Sequence, residues 1–252
     1  MEEKTNITMD VFFSSLSDLL AKLKQKETGN IEKAAHIVAA SLAQDGVVHV
    51  FGSGHSYGFG VEMTGRPGSL VPVHNISSDD FVLNGKYSWK EFKDQDHIFE
   101  RRPGIADQLY DLYDVRPHDC FIIISNSGIN GLVIDMAIKA KKENHPVIAV
   151  TSWEHTSSEE SRHPSGMKLY QLGDVVIDNC GPKGDALIET GGSEKLCSVS
   201  SICGAFIAQG IVVDAIEILQ QEGKEVPILY GNGNAADAAH DKALLEHYRG
   251  RI

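Results

Sequence analysis

The sequence contains little that would bind metal or bridge chains covalently. Its four cysteines, Cys120, Cys180, Cys197 and Cys203, form no C-x-x-C pair and no metal-ligand spacing. Each lies in or beside apolar sequence, so the expectation is reduced, buried thiols in a cytoplasmic protein with no metal. Positive charge is also scarce. Lys and Arg number 23 against 35 Asp and Glu, a formal net charge of −12. That field repels phosphate backbones and anionic lipid, which excludes nonspecific nucleic-acid or membrane-surface binding. An anionic ligand would need a local site of backbone N–H groups. Nucleotide signatures are missing too. There is no Walker lysine motif, and the glycines after the first apolar run fall at Gly52, Gly54 and Gly58, one residue too wide for G-x-G-x-x-G, with no acidic strand end about 20 residues on. No cofactor is expected. The longest apolar tract, Cys197 to Leu219, is interrupted by Gln209, Asp214 and Glu217, and reads as a buried or interface helix, not a membrane span. The opening MEEKTNITMD is acidic and polar, unlike a signal peptide. There is no internal repeat or low-complexity linker.

The positive signals are periodic. DVFFSSLSDLLAKLKQ and NIEKAAHIVAASLAQDG each repeat apolar residues at helical spacing, with Asn30 as N-cap and Gly46 as stop, so two helices are expected before the first strand. Short apolar runs follow at 47–51, 70–74, 120–125, 146–151 and 174–178, separated by helical or loop sequence. Val- and Ile-rich strands alternating with helices imply an α/β protein, a three-layer α/β/α sandwich around a mainly parallel five-strand sheet. Pro72 marks its strand as an edge. The expected organisation is one domain over 1–252, with N-terminal helices at 9–45, a binding core at 46–222 including a long late helix, and a tail at 223–252. The polar stretches 84–104 and 154–166 and the glycine-rich stretch 180–193 read as loops.

Ligands of such sheets bind at the carboxyl ends of strands, where loops enter helix N-termini. Two loops qualify. In the first, Gly52, Ser53, Gly54, His55 and Ser56 follow VVHVF. In the second, CFIIIS runs into Ser125, Asn126, Ser127 and Gly128, with a helix starting near Asn130, so hydroxyls and amides can converge on a phosphoryl group without a lysine. The bland alternative is that Ser and Asn only cap the helix and Gly128 only makes the turn.

The second loop, with IDMAIKAKK and PVIAVTS after it, resembles the sugar isomerase, or SIS, domain over roughly 30–222. GSGHS followed by VEMTGR resembles segments of phosphoheptose isomerase, and SRHPSGMKLYQLGDVVIDNCGPKGDA with HDKALLEHY looks closer to small bacterial phosphosugar-binding or phosphosugar isomerase proteins. The resemblance implies a small-molecule phosphosugar ligand, with Glu62 as catalytic base and the two loops as cradle. His55 is then the best-placed acid. His163, beside Arg162, and Asp185 are candidate substrate contacts, each with a plain loop role as alternative. Ser198, Ser200 and Ser201, at the start of the late helix, suit either capping or sugar hydroxyls, and His240 and Glu189 are lesser candidates. The chain departs from the phosphoheptose pattern: about one helical turn is missing before Glu62, Gly58 replaces a histidine, and the late helix has none. The function expected is an aldose-ketose isomerase acting on a sugar or amino-sugar phosphate, with a non-catalytic phosphosugar sensor and an etherase acting on an amino-sugar phosphate as alternatives. A homodimer or homotetramer is expected, because one sheet cannot cover the N-terminal and late helices together.

Overall fold

The computed structural model describes residues 7–231 and 233–252. In chain order the elements are α1 (Met9–Leu42), β1 (Val48–Gly52), α2 (Gly58–Met63), β2 (Val73–Ile76), α3 (Asp80–Leu83), α4 (Trp89–Phe92), α5 (Ala106–Tyr110), β3 (Cys120–Ile124), α6 (Gly131–Lys142), β4 (Val147–Thr151), α7 (Trp153–Ser158), β5 (Val175–Asp178), β6 (Ala186–Glu189), β7 (Lys195–Ser198), α8 (Ser200–Gln221) and α9 (Ala235–His247). The five expected strands form one parallel sheet in the order β2-β1-β3-β4-β5. Strand β2 is an edge, and Pro72, immediately before it, interrupts no ladder between central strands.

Alternation along each strand divides the core. Val48, Val50, Ile122, Ile148, Val150 and Ile177 face α1 and α8. Phe51, Phe121, Ile123, Val147 and Ala149 face α5 and α6. Both faces are covered, so the strands are apolar at nearly every position.

The N-terminal region differs from the expected pair of helices. Helix α1 is continuous through Gly29 and Asn30, and Asn30 Nδ2 donates to Glu27 Oε2 at 2.8 Å instead of capping a new helix. Burial explains the continuity: Leu23, Ile31, Ala34, Ala35 and Val38 pack in the same cluster as Ile207, Ala208 and Ile211 of α8, which outweighs the weak propensity of one glycine. Two further expectations are corrected. Beyond Cys180 the glycine-rich stretch holds β6 and leads to β7, an antiparallel pair. Cys197, on this ribbon, is exposed, while Cys120, Cys180 and Cys203 are buried as expected.

Below the sheet a buried carboxylate gathers the chain. Asp119 accepts hydrogen bonds from Val47 N (2.8 Å), Arg116 N (2.7 Å), His49 Nε2 (3.0 Å) and the Arg251 guanidinium (2.7 Å). Burial alone would raise its pKa, but His49 and the two backbone donors hold it at about 2. His49 Nδ1 meets His74 Nδ1 at 3.2 Å. Burial, then the neighbouring His49, pushes His74 down to about 4.

Because nothing obstructs a Cβ at Gly29, Gly29→Ala should stabilise the protein by about 0.5–1 kcal/mol in urea unfolding, whereas a helix break there would give no such gain. Because His74 is depressed from an ordinary 6.5, its neutral form stabilises the fold at pH 7, and that stability is lost as pH falls from 6.5 toward 4. From pH 7 to 5 this one residue should remove about 2 kcal/mol, and His74→Gln should flatten the profile measured by denaturant midpoint.

Candidate phosphosugar cradle

Strand β3 ends at Ile124, and the chain turns through Ser125, Asn126, Ser127 and Gly128 into α6. Ser125 Oγ accepts from Gly128 N at 3.1 Å and fixes the turn. Gly128 sits at φ 62, and a Cβ there would lie 2.8 Å from Thr151 Oγ1, so both conformation and space require glycine. Thr156 Oγ1 donates to the Ser127 carbonyl at 2.7 Å, and Thr151 Oγ1 to the Asn126 carbonyl at 3.2 Å. These contacts hold the loop rigid from below.

Asn130 is the N-cap of α6, yet its side chain makes no capping hydrogen bond. Its Nδ2 donates to Glu100 Oε1 at 2.7 Å, and its Oδ1 accepts from Arg162 Nη1 at 2.7 Å. The first-turn N–H groups of α6 are therefore left without a side-chain acceptor at the positive end of the helix dipole. Simple capping does not describe this loop. An anion bound there would complete it.

Glu100 also joins the first loop, since Ser53 Oγ donates to its Oε2 at 2.7 Å. The residues after β1 form a short 3₁₀ turn, Gly54–Tyr57, and its serines diverge. Ser53 turns to Glu100 and lines a cavity of about 340 Å³ with Ser78, Lys93, Gln95 and Leu132. Ser56 and the exposed His55 instead line a space of about 20 Å³ with Asn126, Asn179, Ser200 and Ser201, enough for one water. Asn179 Nδ2 donates to Asn126 Oδ1 at 2.8 Å, closing the cradle on that side. Of these two spaces, the one at Ser53 and Glu100 falls in the range of small-molecule sites.

The two long loops are latched to α6. Asp135 accepts from Gly104 N and from His163 Nε2, the latter at 2.9 Å. Ser165 N donates to His163 Nδ1 at 3.2 Å, which puts the ring proton on Nε2, toward Asp135. Gly131 lets the backbone of 101–103 lie against α6, since a Cβ there would be 2.7 Å from the Arg101 carbonyl. His163 is thus a clamp on the loop that delivers Arg162, where sequence placed it against the ligand.

Two other candidates occupy different places from those expected. Asp185 Oδ1 accepts from Val199 N (3.1 Å) and Ser200 N (2.7 Å), and Oδ2 from Ser200 Oγ (2.7 Å), so its carboxylate caps α8 instead of facing the cradle. Glu62 pairs with Arg66 and lines a separate cavity with Ser69, Gln209 and Val212. It reaches neither space beside the cradle. His240 stacks on Tyr230 with ring centroids 3.9 Å apart, and Glu189 pairs with Lys195 on the exposed ribbon. Burial raises the thiols of Cys180 to about 11 and Cys203 to about 12, so both stay protonated near neutrality. Among the described residues, no group of three or more His, Cys, Asp or Glu side chains is gathered for a metal ion.

Sequence reasoning missed Glu100, Asp135 and Asn179. Glu100 lies 47 residues from Ser53 and 30 from Asn130, in a stretch without periodicity. The available signal was Gly131, a glycine directly after a helix N-cap, which marks close approach of another backbone.

Comparison with known proteins places the chain. Residues 11–152 match the SIS domain. A UPF0309 protein of Geobacillus thermodenitrificans is 35% identical over 246 residues, covering 97% of this chain and 96% of the relative. One of Halalkalibacterium halodurans is 34% identical, covering 92% and 94%. The solved phosphoheptose isomerase of Neisseria gonorrhoeae superposes with a TM-score of 0.53 at 15% identity, covering 82% of this chain and 95% of that one. That of Francisella tularensis gives 0.53 at 15%, covering 84% and 100%. At such identities these two structures show a shared fold. A five-strand parallel sheet with an uncapped helix N-terminus after its central strand, matched by family and by near-full-length relatives, means that the chain belongs to the SIS domain family, among the UPF0309 proteins.

Proposed function

We propose that this protein binds a sugar phosphate and interconverts its aldose and ketose forms. The phosphoryl group sits in the Ser125–Asn130 loop at the start of α6, and the carbon chain extends into the cavity between Ser53 and the 84–104 loop. One observation carries this reading: Asn130 withholds its side chain from capping α6 and uses it to build the cleft wall. A dianion satisfies the amides it leaves open, and a chain with net charge −12 needs such a concentrated site to hold one. Proton transfer beside a carbonyl requires a base and an oxyanion donor. Glu100 lines the cavity proposed for the carbon chain, whereas His55 and Glu62, the acid and base expected from sequence, line other spaces.

The assembly belongs to the same proposal. Helix α8 keeps Ile202, Phe206 and Val213 exposed although its other face is buried. A second copy covering this surface would remove it from water.

Three outcomes test the reading. A thermal-shift series over sugar phosphates should give a selective rise in melting temperature for one of them, since binding to the native state raises apparent stability. Ser127→Ala should weaken that ligand about ten-fold or more, matching loss of one hydrogen bond to a charged group, while leaving the unphosphorylated sugar almost unchanged. Equal losses would move the phosphate elsewhere. Light scattering at micromolar concentration should show at least a dimer, and a monomer would end the proposal for α8.

A further inference from the structure

We infer that Glu100 is the substrate-contacting carboxylate of this cleft and the base of the proposed isomerisation, a role that rests on the isomerase reading above. Glu100 is the residue at which both strand-end loops meet: Ser53 of the first loop donates to Oε2 at 2.7 Å and Asn130 of the second donates to Oε1 at 2.7 Å. Each oxygen accepts one hydrogen bond in this contact and keeps a further acceptor site. The side chain lines the cavity of about 340 Å³ whose other polar groups include Ser53, Ser78, Lys93 and Gln95, with Phe92, Ile98 and Leu132 as apolar wall.

Its supports are arranged to hold it still. Asn130 is itself fixed by Arg162 at 2.7 Å, and the backbone around Arg101 is seated on Gly131. Gly104 N is tied to Asp135, just beyond the first turn of α6. A carboxylate held from both sides within one residue of the phosphate cradle is positioned for proton transfer, where small displacements are costly. Glu62 has the opposite setting. It is paired with Arg66 in another cavity, bounded by Gln209 and Val212.

The chemistry balances without an oxidant or reductant. Glu100 takes the proton from C2 of the open-chain aldose phosphate, the C2–H electron pair becomes the C1–C2 double bond, and O1 receives a proton from solvent water in the cavity. In the second half O2 releases its proton to solvent as its carbonyl forms, and Glu100 delivers its proton to C1. Net, one hydrogen has moved from C2 to C1 and one from O2 to O1.

Deuterium exchange at C2 of the sugar phosphate selected by thermal shift, measured in D₂O, separates the possibilities. The native protein should exchange; Glu100→Gln should lower the exchange rate about 10²-fold or more, with the dissociation constants for that ligand and for inorganic phosphate within about three-fold of native. Ser53 can rotate its hydroxyl to accept from the new amide, so the contact survives, and an unchanged melting temperature verifies the fold. Loss of exchange in Glu62→Gln beside native-like exchange in Glu100→Gln would place the base at Glu62. Native-like exchange in Glu100→Gln overturns the inference and leaves the isomerase reading standing. No exchange by the native protein with any bound sugar phosphate overturns the isomerase reading, and the base role falls with it.

Discussion

A helix that begins at the carboxyl end of a central strand presents several N–H groups at one point, with no carbonyl behind them to accept. In this protein that point is the first turn of α6, and the surrounding structure is organised by how its polar groups are shared out. Asn130 bridges Glu100 and Arg162. Asp135 receives the backbone of Gly104 and the imidazole of His163. One helix end thereby fixes two loops that share no other regular structure, and the cleft between them takes its shape from four side-chain contacts. The cost is that the helix amides lack an internal cap, which is the condition an anionic ligand relieves.

The opposite end of the sheet has the reverse character. Asp119 is buried, and its donors come from the starts of the strands and from Arg251 near the end of the chain. A charged group in such a place is tolerated because each oxygen has two partners. The network binds the terminal segment to the sheet, and Arg251 Nε within it is buried without a partner. Polar groups at the strand starts close the structure, while those at the strand ends open it. This division follows from parallel strands, whose helix N-termini all lie on one side.

The distribution of charge is consistent with the same division. The whole chain is strongly acidic, and the cradle itself offers amides and hydroxyls, with Arg162 one residue removed. Recognition of an anion by neutral donors in a confined space depends on geometry more than on net attraction. For the proposed anionic ligand, the rigid turn at Gly128 and the threonines beneath it would matter as much as the donors they position.

The sheet is legible in local sequence. Runs such as CFIIIS and PVIAVT are apolar at successive positions because both faces are covered, and that pattern is local, as are Pro72 at the edge and Asn130 at the helix start. The sequence also located the second loop, whose serines and glycine are consecutive. It did not determine α1, where Gly29-Asn30 reads as a break and packing against α8 overrides it. Nor did it determine the β6-β7 ribbon with exposed Cys197, or the separate fates of Glu62, Asp185 and His163. Those depend on which partner each charged group meets across tens of residues. Glu100 is the clearest case: nothing in NGKYSWKEFKDQDHIFERRPG distinguishes it from its neighbours, and only the approach of that segment to Gly131, with Ser53 and Asn130 arriving from two different strands, makes it a cleft residue. Periodicity records burial along one element, whereas a site is made by hydrogen bonds between elements, and those exist only once the chain has folded.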